Sequence, residues 1–184
     1  MYVKFWGSRG SLPYSLSADT IRGKIARAIK ASLEHNLETE ADIDEFIENK
    51  LPFAVRGTYG GNTPCVEIGD GESFVICDAG SGLRDFGVSL IRREKKGVPA
   101  PKKFHLFLSH FHWDHIQGFP FFPQAFVPGN RIIVYGFDKD VKKALAIQQN
   151  PLNFPISLDN MTSELEFRIL DAGKAHEING FVVK

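Results

Sequence analysis

Short apolar runs alternate with turn-rich loops along this chain, and two periods separate strand from helix. Residues 2–6 (YVKFW) are β-prone and end at GSRGSLP, a Gly/Ser/Pro cluster that predicts a loop. Between 18 and 34 the period changes. Ile21, Ile25, Ala28, Ile29 and Leu33 recur at helical spacing, with Ser17 or Asp19 placed to cap the start. A second short helix is predicted over 41–49, with Ile43, Phe46 and Ile47 on one face and a break at Pro52. TYGGNTP is a turn-rich loop. CVEIGD and SFVICDAG are short strands joined at GDGE by a hairpin-like turn.

LRDFGVSLIRREKKG then predicts a helix whose basic last turn and Gly97 suit a C-terminus. PAPKK is a surface linker. FHLFLSH is a buried strand, and RIIVYG another. DKDVKKALAIQQN predicts a helix with Asp138 as N-cap, closed by Pro151. LEFRIL and INGFVVK complete the pattern as late strands. Strands with helices between them predict a mixed α/β fold, with the helical stretch near 15–50 inserted after the first strand.

Composition narrows the class. The chain has 184 residues, 43% of them hydrophobic, which suits one domain or a large part of one. Its 22 Lys+Arg balance 22 Asp+Glu, so no general nucleic-acid or membrane footprint is indicated. No apolar run is long enough for a membrane span, and MYVKFWGSRG lacks the apolar core of a signal peptide. The expectation is a cytoplasmic protein in which Cys65 and Cys77 are free thiols.

The candidate chemistry lies in LSHFHWDH, residues 108–115, which holds three of the six histidines. In extended backbone, residues two apart point to one side, so His110 and His112 can aim at one point as a strand ends. Asp114 and His115 follow in the next turn and can reach a neighbouring point. Imidazole nitrogen and carboxylate oxygen suit zinc, manganese or iron. Two such ions about 3.5–4 Å apart clamp a substrate for hydrolysis. Phe111 and Trp113 alternate with these residues and are expected to pack beneath the loop.

H-x-H-x-D-H after an apolar strand resembles the metallo-β-lactamase-fold hydrolases. FWGSRGSLP, YGGNTPCVEI, VICDAGSGLRDFG and LSHFHWDHIQGFPFF, in that order, resemble its phosphodiesterase-like or ribonuclease Z-like branch. The resemblance spans the chain except the stretch near 15–50. It implies an αββα sandwich of two sheets with helices outside, of which this chain carries the N-terminal half and the start of the second. It implies two divalent metals, zinc or manganese or else iron. His110 and His112 would bind the first; Asp114 and His115 would bind the second, with Asp114 also the catalytic candidate. Asp78 would hold the histidine loop by hydrogen bonds, the alternative being an ordinary helix cap or turn residue; Asn62 and Thr63 would flank the site and orient ligands or substrate, or else serve only the turn. Arg9 is placed either to meet a phosphate or to form a surface ion pair. The implied substrate is a small-molecule or nucleotide-type phosphodiester.

Relatives of this kind carry a further histidine, a bridging aspartate and a last histidine, at positions that would fall beyond Lys184. His176, His105, His35 and Asp171 do not match those positions: His105 is expected in the sheet, His176 and His35 in solvent, Asp171 in a turn. The expectation is therefore a C-terminally truncated domain, or one completed by a partner or a second copy. Two competing readings follow from the same residues. One is a catalytically incomplete fragment or interaction module; the other is a thioester or lactone hydrolase on the same fold.

Overall fold

The computed structural model describes residues 1–184. The chain divides into two compact units, one of residues 1–13 and 62–184, the other of residues 14–61. The first has mixed α/β architecture. Strands β1 (Tyr2–Gly7), β2 (Cys65–Gly69), β3 (Phe74–Cys77), β4 (Lys103–Phe107), β5 (Arg131–Gly136) and β6 (Glu164–Ile169) form one sheet in chain order. The first three are antiparallel neighbours; from β3 to β6 every pairing is parallel.

Parallel neighbours need a crossover, and here helices supply two of them. Helix α4 (Gly82–Glu94) links β3 to β4, and α6 (Val141–Gln148) links β5 to β6. Both bury one stripe against the same sheet face. Leu83, Phe86 and Leu90 of α4 and Val141 and Leu145 of α6 join Ile76, Phe104, Leu106, Ile132 and Val134 in one core. Phe74, Phe86, Phe104 and Phe122 meet there edge-on or stacked, with ring centroids 5.4–6.2 Å apart. Each such side chain removed from water contributes roughly 1.5–3 kcal/mol.

The opposite face of the sheet carries Val75, Phe107, Ile133 and Tyr135, which pack with Leu170 and Ile178. Ile178 belongs to a hairpin, β7 (His176–Ile178) and β8 (Phe181–Val183). INGFVVK is thus not one strand, as its apolar pattern predicts. Asn179 and Gly180 both have positive φ (52° and 84°) and reverse the chain. Asn-Gly is a strong two-residue hairpin signal, and here it overrides the apolar continuity on either side. The predicted cap at Asp138 also moves. Its Oδ1 accepts from the Asp140 amide and its carbonyl from the Val141 amide, so it builds a turn and α6 starts at Val141.

Residues 14–61 form a small helical unit that contains the predicted insertion. Helix α1 (Ala18–Ser32) is capped by Ser17, whose hydroxyl accepts from the Thr20 amide. Helix α2 (Glu40–Glu45) opens with a reciprocal capping box between Thr39 and Asp42 and runs into a π-helical turn, Phe46–Lys50. A further single turn, α3 (Phe53–Arg56), follows Pro52. Lys24 ties α1 to this turn by donating to the carbonyls of Ala54 and Gly57. His35 is exposed and packs against Phe46. No helix of the chain is long and apolar enough to cross a membrane.

Candidate metal centre

The histidine loop leaves the carboxyl end of β4, the side of a parallel sheet where ligands bind in α/β folds. His112 has extended backbone and starts a single helical turn, α5 (Trp113–Ile116). That turn swings Asp114 and His115 back toward His110. The His110 ring lies 4.6 Å from that of His112 and 4.0 Å from that of His115, centroid to centroid. His115 Nε2 is 3.6 Å from Asp114 Oδ2. The predicted ligands are therefore close neighbours on one loop. His110 and His112 are exposed, while Asp114 and His115 are half-buried. Trp113 does not pack beneath the loop, as its alternation with the ligands predicts. As the first residue of α5 it points outward and is 71% exposed, whereas Phe111 does pack against the core.

Asp78 anchors this loop. It follows β3 in left-handed backbone (φ 64°), which short acidic side chains tolerate best after glycine and asparagine. Its Oδ1 accepts from the Ser109 amide at 2.8 Å, and its Oδ2 from His115 Nδ1 at 2.8 Å. The Ser109 hydroxyl lies 2.8 and 3.0 Å from the two oxygens. Backbone contacts reinforce these bonds. The Asp78 amide donates to the Phe107 carbonyl, Ala79 to His115 and Gly118 to Ala79. At such close approach side chains do not fit: a Cβ on Gly118 would fall on the Gly80 carbonyl, and one on Gly80 on the Asp114 and Pro64 carbonyls.

Asn62 and Thr63 brace the next layer and touch none of the four candidate ligands through the hydrogen bonds of their side chains. Asn62 Nδ2 donates to Asp85 Oδ2 at 2.7 Å, and its Oδ1 accepts from Ser81 at 3.0 Å. Thr63 is fully buried; its hydroxyl oxygen accepts from the Ser81 amide and from Gln117, two residues past His115. From the other side, the Ser11 amide donates to Asp114 Oδ2 at 2.8 Å, with Ser11 also in left-handed backbone. That bond, with the neighbouring His115 and His110, holds the Asp114 carboxyl below its ordinary range. Asp114 is thus an anion across the neutral range. The Arg9 amide donates to the Asn62 carbonyl, and its side chain is exposed.

Ser11, Ser109 and Gln117 were not singled out by sequence pattern. Only Ser109 carried a signal, a small hydroxyl residue between the buried strand and the first histidine. The other two act from loops whose approach depends on the tertiary fold. The remaining titratable candidates lie elsewhere. His105 is buried on β4, its Nδ1 2.8 Å from the Tyr135 hydroxyl, and burial first, then Lys103 and Arg168, push its pKa down to about 4. His176 is half-buried at the start of β7, and Asp171 is exposed in the turn before it. Cys65 and Cys77 are free thiols; burial raises Cys65 well above its ordinary value and Cys77 to about 11.

No three His, Cys, Asp or Glu side chains stand with donor atoms ready around one point. The loop instead offers a gathered donor set, three imidazoles and a carboxylate, one imidazole already oriented by Asp78. That set fits a borderline divalent ion such as zinc or manganese. Comparison with protein-family models, curated proteins and solved structures gave no match in any of the three.

Proposed function

We propose that the chain is a metal-dependent hydrolase of the metallo-β-lactamase superfamily, its substrate a phosphodiester. One observation carries this reading. The H-x-H-x-D-H residues meet at the carboxyl end of a parallel strand, and a carboxylate behind them accepts a hydrogen bond from His115. Carboxylate–histidine pairs of this kind orient imidazoles toward metals.

His110, His112, Asp114 and His115 would hold the metal. Bound there, divalent ions would lower the pKa of water and polarise a phosphoryl oxygen. The chain's own residues have narrower tasks. Asp78 fixes the His115 ring. The Ser11 amide holds Asp114 by Oδ2, the oxygen 3.6 Å from His115 Nε2. The exposed His110 and His112 leave room for a substrate to approach from solvent.

Elemental analysis after zinc or manganese loading, beside a His110→Ala control, tests the site. Metal bound by the wild type and lost in the control is the expected result; no bound metal in the wild type would overturn the reading. A chromogenic phosphodiester then tests the reaction. Turnover that disappears in His112→Ala supports the phosphodiester assignment, and turnover of a thioester or lactone instead would replace it.

A further inference from the structure

Ser109 sits at the centre of the site without being a candidate ligand. Its hydroxyl oxygen lies 3.0 Å from His110 Nδ1 and 3.3 Å from His115 Nδ1, as well as within reach of both Asp78 oxygens. A hydroxyl has one proton to give and two lone pairs to accept with. The ionised carboxylate is the strongest acceptor present, because hydrogen bonds to a charged group are roughly twice as strong as neutral ones. The Ser109 proton therefore goes to Asp78. What remains toward His110 is a lone pair, and His110 Nδ1 must carry the hydrogen that meets it. His115 obeys the same logic one step closer: its Nδ1 faces Asp78 Oδ2 at 2.8 Å, a contact that holds only if that nitrogen donates.

We infer that Ser109 is a positioning residue that extends the reach of Asp78 from one histidine to two, fixing His110 and His115 both as Nδ1–H tautomers. Each ring then presents an unprotonated Nε2, the lone pair that a metal needs. His112 has no such partner among the hydrogen bonds of the loop, and Ser109 does not act on it. One carboxylate thus sets two of three imidazoles, through a direct bond and through a hydroxyl relay. The inference rests on the metal-site reading for its purpose, and on the hydrogen-bond network alone for the proton positions.

The two layers are tested separately. Metal-free protein labelled with 15N at histidine, at about pH 8 where an ordinary imidazole is neutral, shows by long-range proton–nitrogen correlation which ring nitrogen carries the hydrogen. His110 and His115 should both be Nδ1–H in the wild type. Ser109→Ala, which keeps the Ser109 backbone bond to Asp78, should release His110 toward the Nε2–H form and leave His115 in place. Ser109→Thr should restore the wild-type pattern. Zinc affinity, read by competition with a chromophoric chelator, should fall about 10–100-fold in Ser109→Ala and recover in Ser109→Thr. An Nε2–H signal from His110 in the wild type, or a His110 tautomer indifferent to Ser109→Ala, overturns the inference even if zinc binds. Correct tautomers in a wild type that binds no zinc would instead sustain the proton placement and remove the metal reading.

Discussion

Two carboxylates serve the sheet in opposite ways. Glu67, on β2, is buried at 7% exposure, and its two oxygens accept from the Tyr2 hydroxyl (2.6 Å) and Trp6 Nε1 (2.9 Å). Both donors end there; behind each polar atom lies only an aromatic body. Burial first, then the bond to Glu67, raises the Tyr2 phenol to about 12. Asp78 also accepts from side chains, but its donors are Ser109 and His115, and each reaches further: the same Ser109 oxygen lies 3.0 Å from His110 Nδ1, and His115 has Nε2 on the far side of its ring. A carboxylate whose partners terminate is a fastener. One whose partners reach on to further side chains transmits orientation beyond itself. Burial alone does not tell the two apart; the far ends of their partners do.

The largest expected effect falls on the ground that Asp78 and the histidine loop share. Gly118→Ala should destabilise the protein by more than about 3 kcal/mol in urea unfolding, because its methyl group meets backbone rather than a movable side chain. A near-neutral result would mean that the two loops are not locked together. His105 comes next and sharpens the contrast between its own buried ring and the loop histidines. Its folded-state pKa of about 4 lies below the ordinary 6.5, so the unfolded chain binds the extra proton first. Stability should be full above about pH 6.5 and fall as pH drops toward 4, by on the order of 3 kcal/mol. His105→Gln should flatten that window in pH-dependent unfolding, and an unchanged slope would assign it to other groups.

The two carboxylates themselves give a crossed pair. Glu67→Ala removes the shared acceptor of the exposed Tyr2 and the half-buried Trp6 and should cost about 1–2 kcal/mol of stability while leaving zinc affinity unchanged. Asp78→Asn should cost less stability but weaken zinc binding about 10–100-fold. If Glu67→Ala weakened zinc binding as much, the distinction between fastener and transmitter would fail. Trp113→Ala is the smallest: at 71% exposure it should shift stability by no more than about 0.5 kcal/mol. A larger loss would mean that this ring has a partner.

The apolar periods marked the strands and long helices because both are local signals. Ile21, Ile25 and Ile29 announced α1 within two residues of its ends, and FHLFLSH announced β4 but ran three residues past its end at Phe107, where the histidine loop begins. The site was legible as a cluster of donor side chains, since four of them crowd into six positions. Its supports were less so. Asp78 stood out beside its DAG turn, but Ser11 meets Asp114 across 103 residues and Gln117 meets Thr63 across 54. No local period encodes such contacts. The Asn179–Gly180 reversal was different: its signal was local and was outweighed by the apolar residues around it. Trp113 failed because alternation, a strand rule, was applied where the chain had already turned into a helix.

The backbone bonds that join residues 78–80 to the histidine loop have a consequence for motion. The amides of Ala79 and Gly118 donate across to that loop and back, and the Gly80 amide donates to the Pro64 carbonyl. A segment that is irregular in secondary structure is therefore held as a strand would be, by interlocking main-chain bonds over a packed floor. Its amide hydrogens should exchange with solvent only when β3 and β4 themselves separate, on the timescale of global unfolding. His115, whose carbonyl takes the Ala79 amide, would then sit on one of the slowest-breathing parts of its unit.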